Sequence, residues 1–501
     1  LSLKLTVLLK MVLKTVILSL FLCLCKFSIA QDYSLNNTGT LFDSFENPVQ
    51  PTSTKDLSRK YASNFFIPSI SNNIYFNGEA NRSFKTIIFK QKIDASDIGN
   101  IGLVNMNTLL SNSNNYLFMF KIYKSVKYKR ELGFALQLRQ ESNFNISNET
   151  FAVVDNYGIF ANDTYNNIFN GNGFTQSYSQ LSVSYRENYD KNWAWGGKLS
   201  VLNGILYAQG DLNQNNLNID RVNNILTQTL VGTARSSFGT SLPNKSLFIP
   251  NFKNPGLSVN LGMSYNSPEG IYFSGHVKDL GFIKWGKNSA KFNFNDEVKV
   301  FNADANDLGV HYYDELSLML ANNAEFGSFI TPTNAKIEVL ASKTFDFYKP
   351  NLIFSKSVFQ QDGAIAAINN FNYKIWNVSL NGIYDFRQGF DVGSQIMIKT
   401  PNVEFYVGSE RLLPSIRFAN GFISSNPNIG NNPTRADLYL GFSLKFGKLM
   451  QNFSNADEIP GITDGDQGNG VKNLNAKDWF YFLKKKNKSE KEVDKRRDKK
   501  P

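Results

Sequence analysis

The stretch Trp376-Asn377-Val378-Ser379-Leu380-Asn381-Gly382-Ile383-Tyr384-Asp385-Phe386 decides the fold. Successive side chains of a β-strand point to opposite faces, so a period of two reports what each face meets. The even positions carry Trp376, Val378, Leu380, Gly382, Tyr384 and Phe386, whereas the odd ones carry Asn377, Ser379, Asn381 and Asp385, with Ile383 as the exception. One face is oily and the other is wet. The following strands repeat the pattern: Phe390, Val392, Ile396 and Ile398 alternate with Asp391, Gly393, Gln395 and Lys399, and Val403, Phe405 and Val407 alternate with Glu404, Tyr406 and Gly408. The last such run alternates from Ala436 to Phe446. Upstream, the signature returns in Leu132, Phe134, Leu136 and Leu138, in Leu181, Val183 and Tyr185, and in Val259, Leu261, Met263 and Tyr265.

A soluble β-sandwich also alternates, because one face packs on a core. Three features favour a membrane barrel: strands near the roughly ten residues a tilted membrane strand needs, aromatics such as Trp376, Tyr384, Phe386 and Phe446 near strand ends, and a closing strand that ends in Phe446. The expected fold is all-β, a single antiparallel transmembrane β-barrel. The count of spans is about sixteen, with about fourteen as the alternative, an even number in either case. Turn signals at Ser267-Pro268-Glu269-Gly270, Gln361-Asp362-Gly363, Arg387-Gln388-Gly389 and Thr400-Pro401-Asn402 separate the runs.

With Phe446 at the periplasmic end, counting backwards puts the turns at 267–270, 348–351 and 400–402 in the periplasm. The long segments 281–329 and 412–435 fall outside. The same parity puts 142–173 and 208–225 on the periplasmic side despite their length, which points to a miscounted strand pair. In the first outer segment Leu308, Tyr312, Leu316, Met319 and Leu320 share one face at helical spacing, which predicts a short amphipathic helix.

Ahead of the barrel, Lys14, an apolar run from Val16 to Cys25 and the small-x-small sequence Ser28-Ile29-Ala30 read as a signal peptide over residues 1–30. Cys23 and Cys25, the only cysteines, lie inside it. The net charge of +11 is carried by the ends: four lysines in residues 1–30, and twelve basic against five acidic side chains in 472–501. The body between is neutral and offers no basic field for nucleic acid. Residues 448–501 read as a linker, an aromatic cluster at Trp479-Phe480-Tyr481-Phe482 and a basic tail, placed in the periplasm.

The inventory argues against catalysis. Two histidines, His276 and His311, remain for acid–base chemistry, and no metal spacing or glycine-rich phosphate motif is present. No cofactor is expected. Selection of a solute would fall to charged residues on the wet faces, namely Arg186, His276, Lys278, Asp385, Asp391, Lys399, Glu404 and Glu410. Their mixed signs suit salt-bridged filling as readily as a pore. Residues 31–69, with Pro48, Pro51 and Pro68, read either as a plug for the lumen or as an ordinary lead-in to a barrel over 70–447.

Several stretches resemble a group of Bacteroidota outer-membrane barrels of unassigned function, distantly similar to FadL-like and PorV-like proteins. They are Phe45-Glu46-Asn47-Pro48 with Ser58-Arg59-Lys60-Tyr61-Ala62-Ser63-Asn64, Val277-Lys278-Asp279-Leu280-Gly281-Phe282-Ile283-Lys284-Trp285, and Thr331-Pro332-Thr333-Asn334-Ala335-Lys336-Ile337. The FadL-like resemblance implies passage of small, hydrophobic molecules through a lumen partly closed by an N-terminal segment. The PorV-like one implies a partner in type IX secretion. No motif chooses between a channel or transporter and a non-transporting accessory barrel; outer-membrane lipid is the surrounding expected of both.

Overall fold

The computed structural model describes residues 33–52, 59–90, 98, 101–125, 130–155, 159–240, 252–301, 308–430 and 432–448; the signal peptide and basic tail expected from the sequence lie outside them. In chain order the strands are β1 (Arg59–Ser63), β2 (Ile70–Asn77), β3 (Met106–Ser125), β4 (Arg130–Ser147), β5 (Thr164–Asn166), β6 (Gly171–Asn188), β7 (Trp193–Asp220), β8 (Ile225–Ser236), β9 (Pro255–Asn266) and β10 (Ile271–Trp285). There follow β11 (Ala290–Phe301), β12 (Ala324–Phe326), β13 (Phe329–Pro332), β14 (Lys336–Lys343), β15 (Tyr348–Ser357), β16 (Gly363–Tyr373), β17 (Trp376–Asp385), β18 (Gly389–Lys399), β19 (Val403–Ser409) and β20 (Thr434–Lys448). Apart from one turn at Asp43–Glu46, four helices are inserted among the described residues: α1 (Asn81–Lys90), α2 (Asn148–Asp155), α3 (Leu308–Asn322) and α4 (Leu412–Ile423).

Fourteen strands close a ring of antiparallel neighbours. The first strand is broken into β1 and β2, and both halves pair with β20 on one side and β3 on the other, which seals the ring. One end of the barrel carries tight turns, such as 267–270 and 400–402. The other carries all four helices and the long connections.

The oily face of β17 turns outward: Trp376, Val378, Leu380 and Tyr384 are exposed, and Asn377, Ser379 and Asn381 are buried. A soluble sandwich would bury the opposite set. Ile383, the exception in the sequence, packs inside against Tyr33, Leu340, Ile353 and Ile368.

Ile225–Ser236 alternates like a wall strand, but it stands outside the ring. The upper part of β7 rises past the barrel and pairs with β8, β8 pairs with β11, and β11 pairs with β12. Counting β8 as a wall strand inflates the span number above fourteen and flips the parity of everything upstream. Segments 142–173 and 208–225 therefore lie at the same end as 286–328, opposite to the expectation from parity. The turn before β15 also falls at 344–347, just ahead of the expected 348–351. At the tip of the raised hairpin Asp220 accepts hydrogen bonds from Asn223 Nδ2 and the amides of Val222 and Asn223, which hold its carboxyl below the ordinary value.

The helix-rich end has its own apolar core. Phe76 and Phe84 stack at 4.2 Å, and Phe151, Leu217, Leu226, Phe292, Val298 and Met319 pack with them. The predicted amphipathic helix is α3, and Tyr312, Leu316 and Leu320 face this core. His311 and Asp314 sit on its exposed side.

Where the first strand breaks, Asn64 supplies the missing ladder bonds. Its Oδ1 accepts from Met119 N (2.7 Å), and its Nδ2 donates to Ile67 O (2.9 Å) and Leu117 O (3.2 Å). Asn64→Ala leaves those buried groups unpaired and is expected to destabilise the barrel by about 1–3 kcal/mol. The urea midpoint of the refolded protein measures the loss, and an unchanged midpoint would show that the break is held elsewhere.

Candidate functional site in a filled lumen

Residues 33–52 lie inside the barrel and are almost entirely buried. The segment has no two-residue period and contains Pro48 and Pro51, so it cannot join the ladder. It is fixed instead by side chains from the wet faces of the wall.

Ser34 N and Oγ donate to Glu410 Oε1 (2.9 and 3.2 Å). Lys399 Nζ donates to the carbonyls of Thr38 and Gly39 (both 2.9 Å), and Lys349 Nζ donates to that of Asn37 (2.7 Å). Leu41 N donates to Glu404 Oε2 (3.1 Å), while Lys445 and Ser443 hold the same carboxylate from the wall. Arg186 Nε donates to Val49 O (2.7 Å), and Thr52 N donates to Glu131 Oε1 (2.9 Å), while Glu131 Oε2 pairs with Lys121 (2.9 Å). Gly196 permits the closest approach, since a Cβ there would stand 2.1 Å from Pro48 O.

Glu46 is the central contact. It pairs with Lys278 and with Arg139 (3.1 Å), and it accepts from Tyr116 Oη (2.6 Å) and Gln137 Nε2 (3.1 Å). Arg139 also holds Asp279 (2.7 Å), with Lys198 on the other side at 3.7 Å. Lys278 and Asp279 are consecutive, yet both reach this cluster because β10 bulges. Between Val277 and Leu280 it spends one residue more than β9, and Asp279 adopts φ +50°.

Of the other residues expected from the sequence, His276 Nε2 meets Glu338 Oε2 across the β10–β14 pair (3.2 Å). Asp391 pairs with Arg411 (3.1 Å) and Arg435 (2.9 Å). Asp385 accepts from the amides of Arg387 and Gln388 in its own turn (2.9 and 3.0 Å). Beside the inner segment two small polar cavities remain.

Sequence reasoning missed Glu46, Lys121, Glu131, Arg139, Lys198 and Asp279. Glu131, Gln137 and Arg139 were legible as the odd positions alternating with Leu132, Leu136 and Leu138. Asp279 was not, because strict alternation from His276 and Lys278 turns it outward and only the bulge reverses that.

The chain belongs to the family described as "Family of unknown function (DUF5723)", whose model matches residues 36–410. No curated protein matches. Among solved structures it is similar to the Ralstonia pickettii toluene transporter TbuX, with 7% identity, TM-score 0.40, and 81% of this chain and 93% of that one covered. It is also similar to a porin variant of Rh. blastica (9%, TM-score 0.22, 77% and 99% covered) and to the β domain of the Bordetella autotransporter BrkA (6%, TM-score 0.23, 78% and 100% covered). The ring itself rests on the strand register.

Proposed function

We propose that the chain is an outer-membrane channel or transporter for small solutes, held shut from within by residues 33–52. The observation that carries this reading is the inversion of faces: an exterior of exposed Leu, Val, Ile and Phe around an ion-paired lumen that its own segment occupies. An apolar surface of that extent suits lipid, and the wet lumen favours water-soluble cargo over the hydrophobic molecules that the resemblance implied. The tight-turn end faces the periplasm, where the basic tail would follow β20, and the helix-rich end faces outward.

Planar-bilayer recordings test it. The full chain is expected to be nearly silent, and a form lacking residues 33–52 is expected to conduct. Gly196→Val, which crowds Pro48 off the wall, is expected to conduct intermittently. Silence of all three in correctly folded barrels would support the other reading, a sealed surface or secretion-accessory barrel that acts through protein partners at its helix-rich end.

A further inference from the structure

The wall is notched above β19. Ser409, the last residue of that strand, pairs with Ser394 of β18, and Gly408 pairs with Tyr439 of β20. Beyond this level β18 runs on to Gly389 and β20 back to Thr434 with no strand between them. At roughly 3.3 Å per residue and a tilt of about 40°, the 7 residues of β19 raise the wall only about 18 Å. The apolar band of an outer-membrane barrel stands about 25 Å tall. Two open strand edges therefore face each other within the band, and the ion pairs of Asp391 with Arg411 and Arg435 lie between them on the lumen side. Neither bare edges nor charges are tolerated against lipid.

The helix α4 stands at this notch and packs against both edges, β18 and β20. Ser415 Oγ accepts from the edge amide of Asp437 (2.9 Å). Arg411, just ahead of the helix, donates its amide to Asp437 Oδ1 (2.9 Å) and its Nε to Asp391 (3.1 Å). Gly421 lets the helix close on α1, since a Cβ there would stand 2.8 Å from the Phe89 ring, and Phe418 and Phe422 lean on that ring at 5.2 and 6.1 Å between centroids. These contacts fix one side of α4. The other side is oily and bare. At 3.6 residues per turn Ala419, Leu412, Ile423, Ile416 and Leu413 follow one another around an arc of about 120°, interrupted by Asn420. All five are exposed, Leu413 by 64% and Ile423 by 82%. Arg417, also exposed, follows at the margin, where its stem can lie on apolar surface while its guanidinium reaches a headgroup. At the same end the flanking strands expose the same chemistry, Phe390 and Val392 on β18 and Leu438 on β20.

We infer that α4 is part of the membrane-facing wall: it replaces the missing upper part of β19, and its apolar arc lies against the acyl chains of the leaflet at the helix-rich end. The inference rests on the membrane setting proposed above and is independent of conduction. Nitroxide labels test it in the full chain refolded into phosphatidylcholine vesicles, with Cys23 and Cys25 replaced by serine and one cysteine introduced at a time. Labels on Ile416→Cys and Ile423→Cys are expected to collide with oxygen and to lose collision with a water-soluble nickel chelate, as a label on Val392→Cys in the wall does. A label on Asn428→Cys, in the exposed loop after the helix, is expected to show the reverse. If the two helix labels meet the nickel chelate as Asn428→Cys does while Val392→Cys does not, α4 stands in water; the inference fails and the membrane wall survives. If Val392→Cys meets the chelate as well, both fail together. Helix labels shielded from both reagents would mean that protein, a second copy or another chain, covers the arc, which also overturns the assignment to lipid.

Discussion

Glu46→Ala is expected to lower the unfolding free energy of the refolded barrel by about 3–5 kcal/mol, because removing one member of a buried ion cluster strands the charges left behind. Lys278 and Arg139 would lose their shared carboxylate, and Tyr116 and Gln137 would lose an acceptor. Arg139 would keep Asp279, so Lys278 is the group left most exposed to the loss. Adding Lys278→Met to Glu46→Ala removes that orphaned charge and is expected to recover part of the stability, a coupling that a double-mutant cycle reads directly. Urea titration followed by tryptophan fluorescence measures all three. If Glu46→Ala falls within about 0.5 kcal/mol of the parent, as surface changes do, residues 33–52 are not seated as described.

The second large effect concerns the outside of the wall. Leu380 lies mid-strand in β17, is 52% exposed, and stands between Asn369 of β16 and Ser394 of β18 in the register. Leu380→Arg is expected to cost about 2–4 kcal/mol in a bilayer, where a lipid-facing cation near the midplane has no water to hydrate it. In water the same change would be close to neutral. Refolding yield and urea stability in liposomes measure it, and a tolerated arginine would remove the case for lipid contact on this face.

How much could be foreseen differs by element. The wall was readable because Trp376–Asp385 and its neighbours alternate with few exceptions, Ile383 among them, and a period of two sorts the side chains onto two faces. The raised strand β8 misled the count, since a strand on a folded cap alternates as well as one in a membrane. The helix α1 went unread although Phe84, Ile87 and Ile88 recur at helical spacing within Asn81–Lys90. Charged residues on the wet faces could be named in advance, although their partners could not. Glu404 and Lys445 are adjacent through strand pairing, whereas Leu41 arrives from a segment whose path no periodicity records.

Strand length has a consequence for access. On one flank β3 runs 20 residues and β7 runs 28, while on the other β17, β18 and β19 have 10, 11 and 7. At roughly 3.3 Å per residue the rim is a steep ramp, roofed from its high flank by the aromatic cap. Any entry to the lumen from this end would come over the low parapet at β17, β18 and β19 and not down the axis.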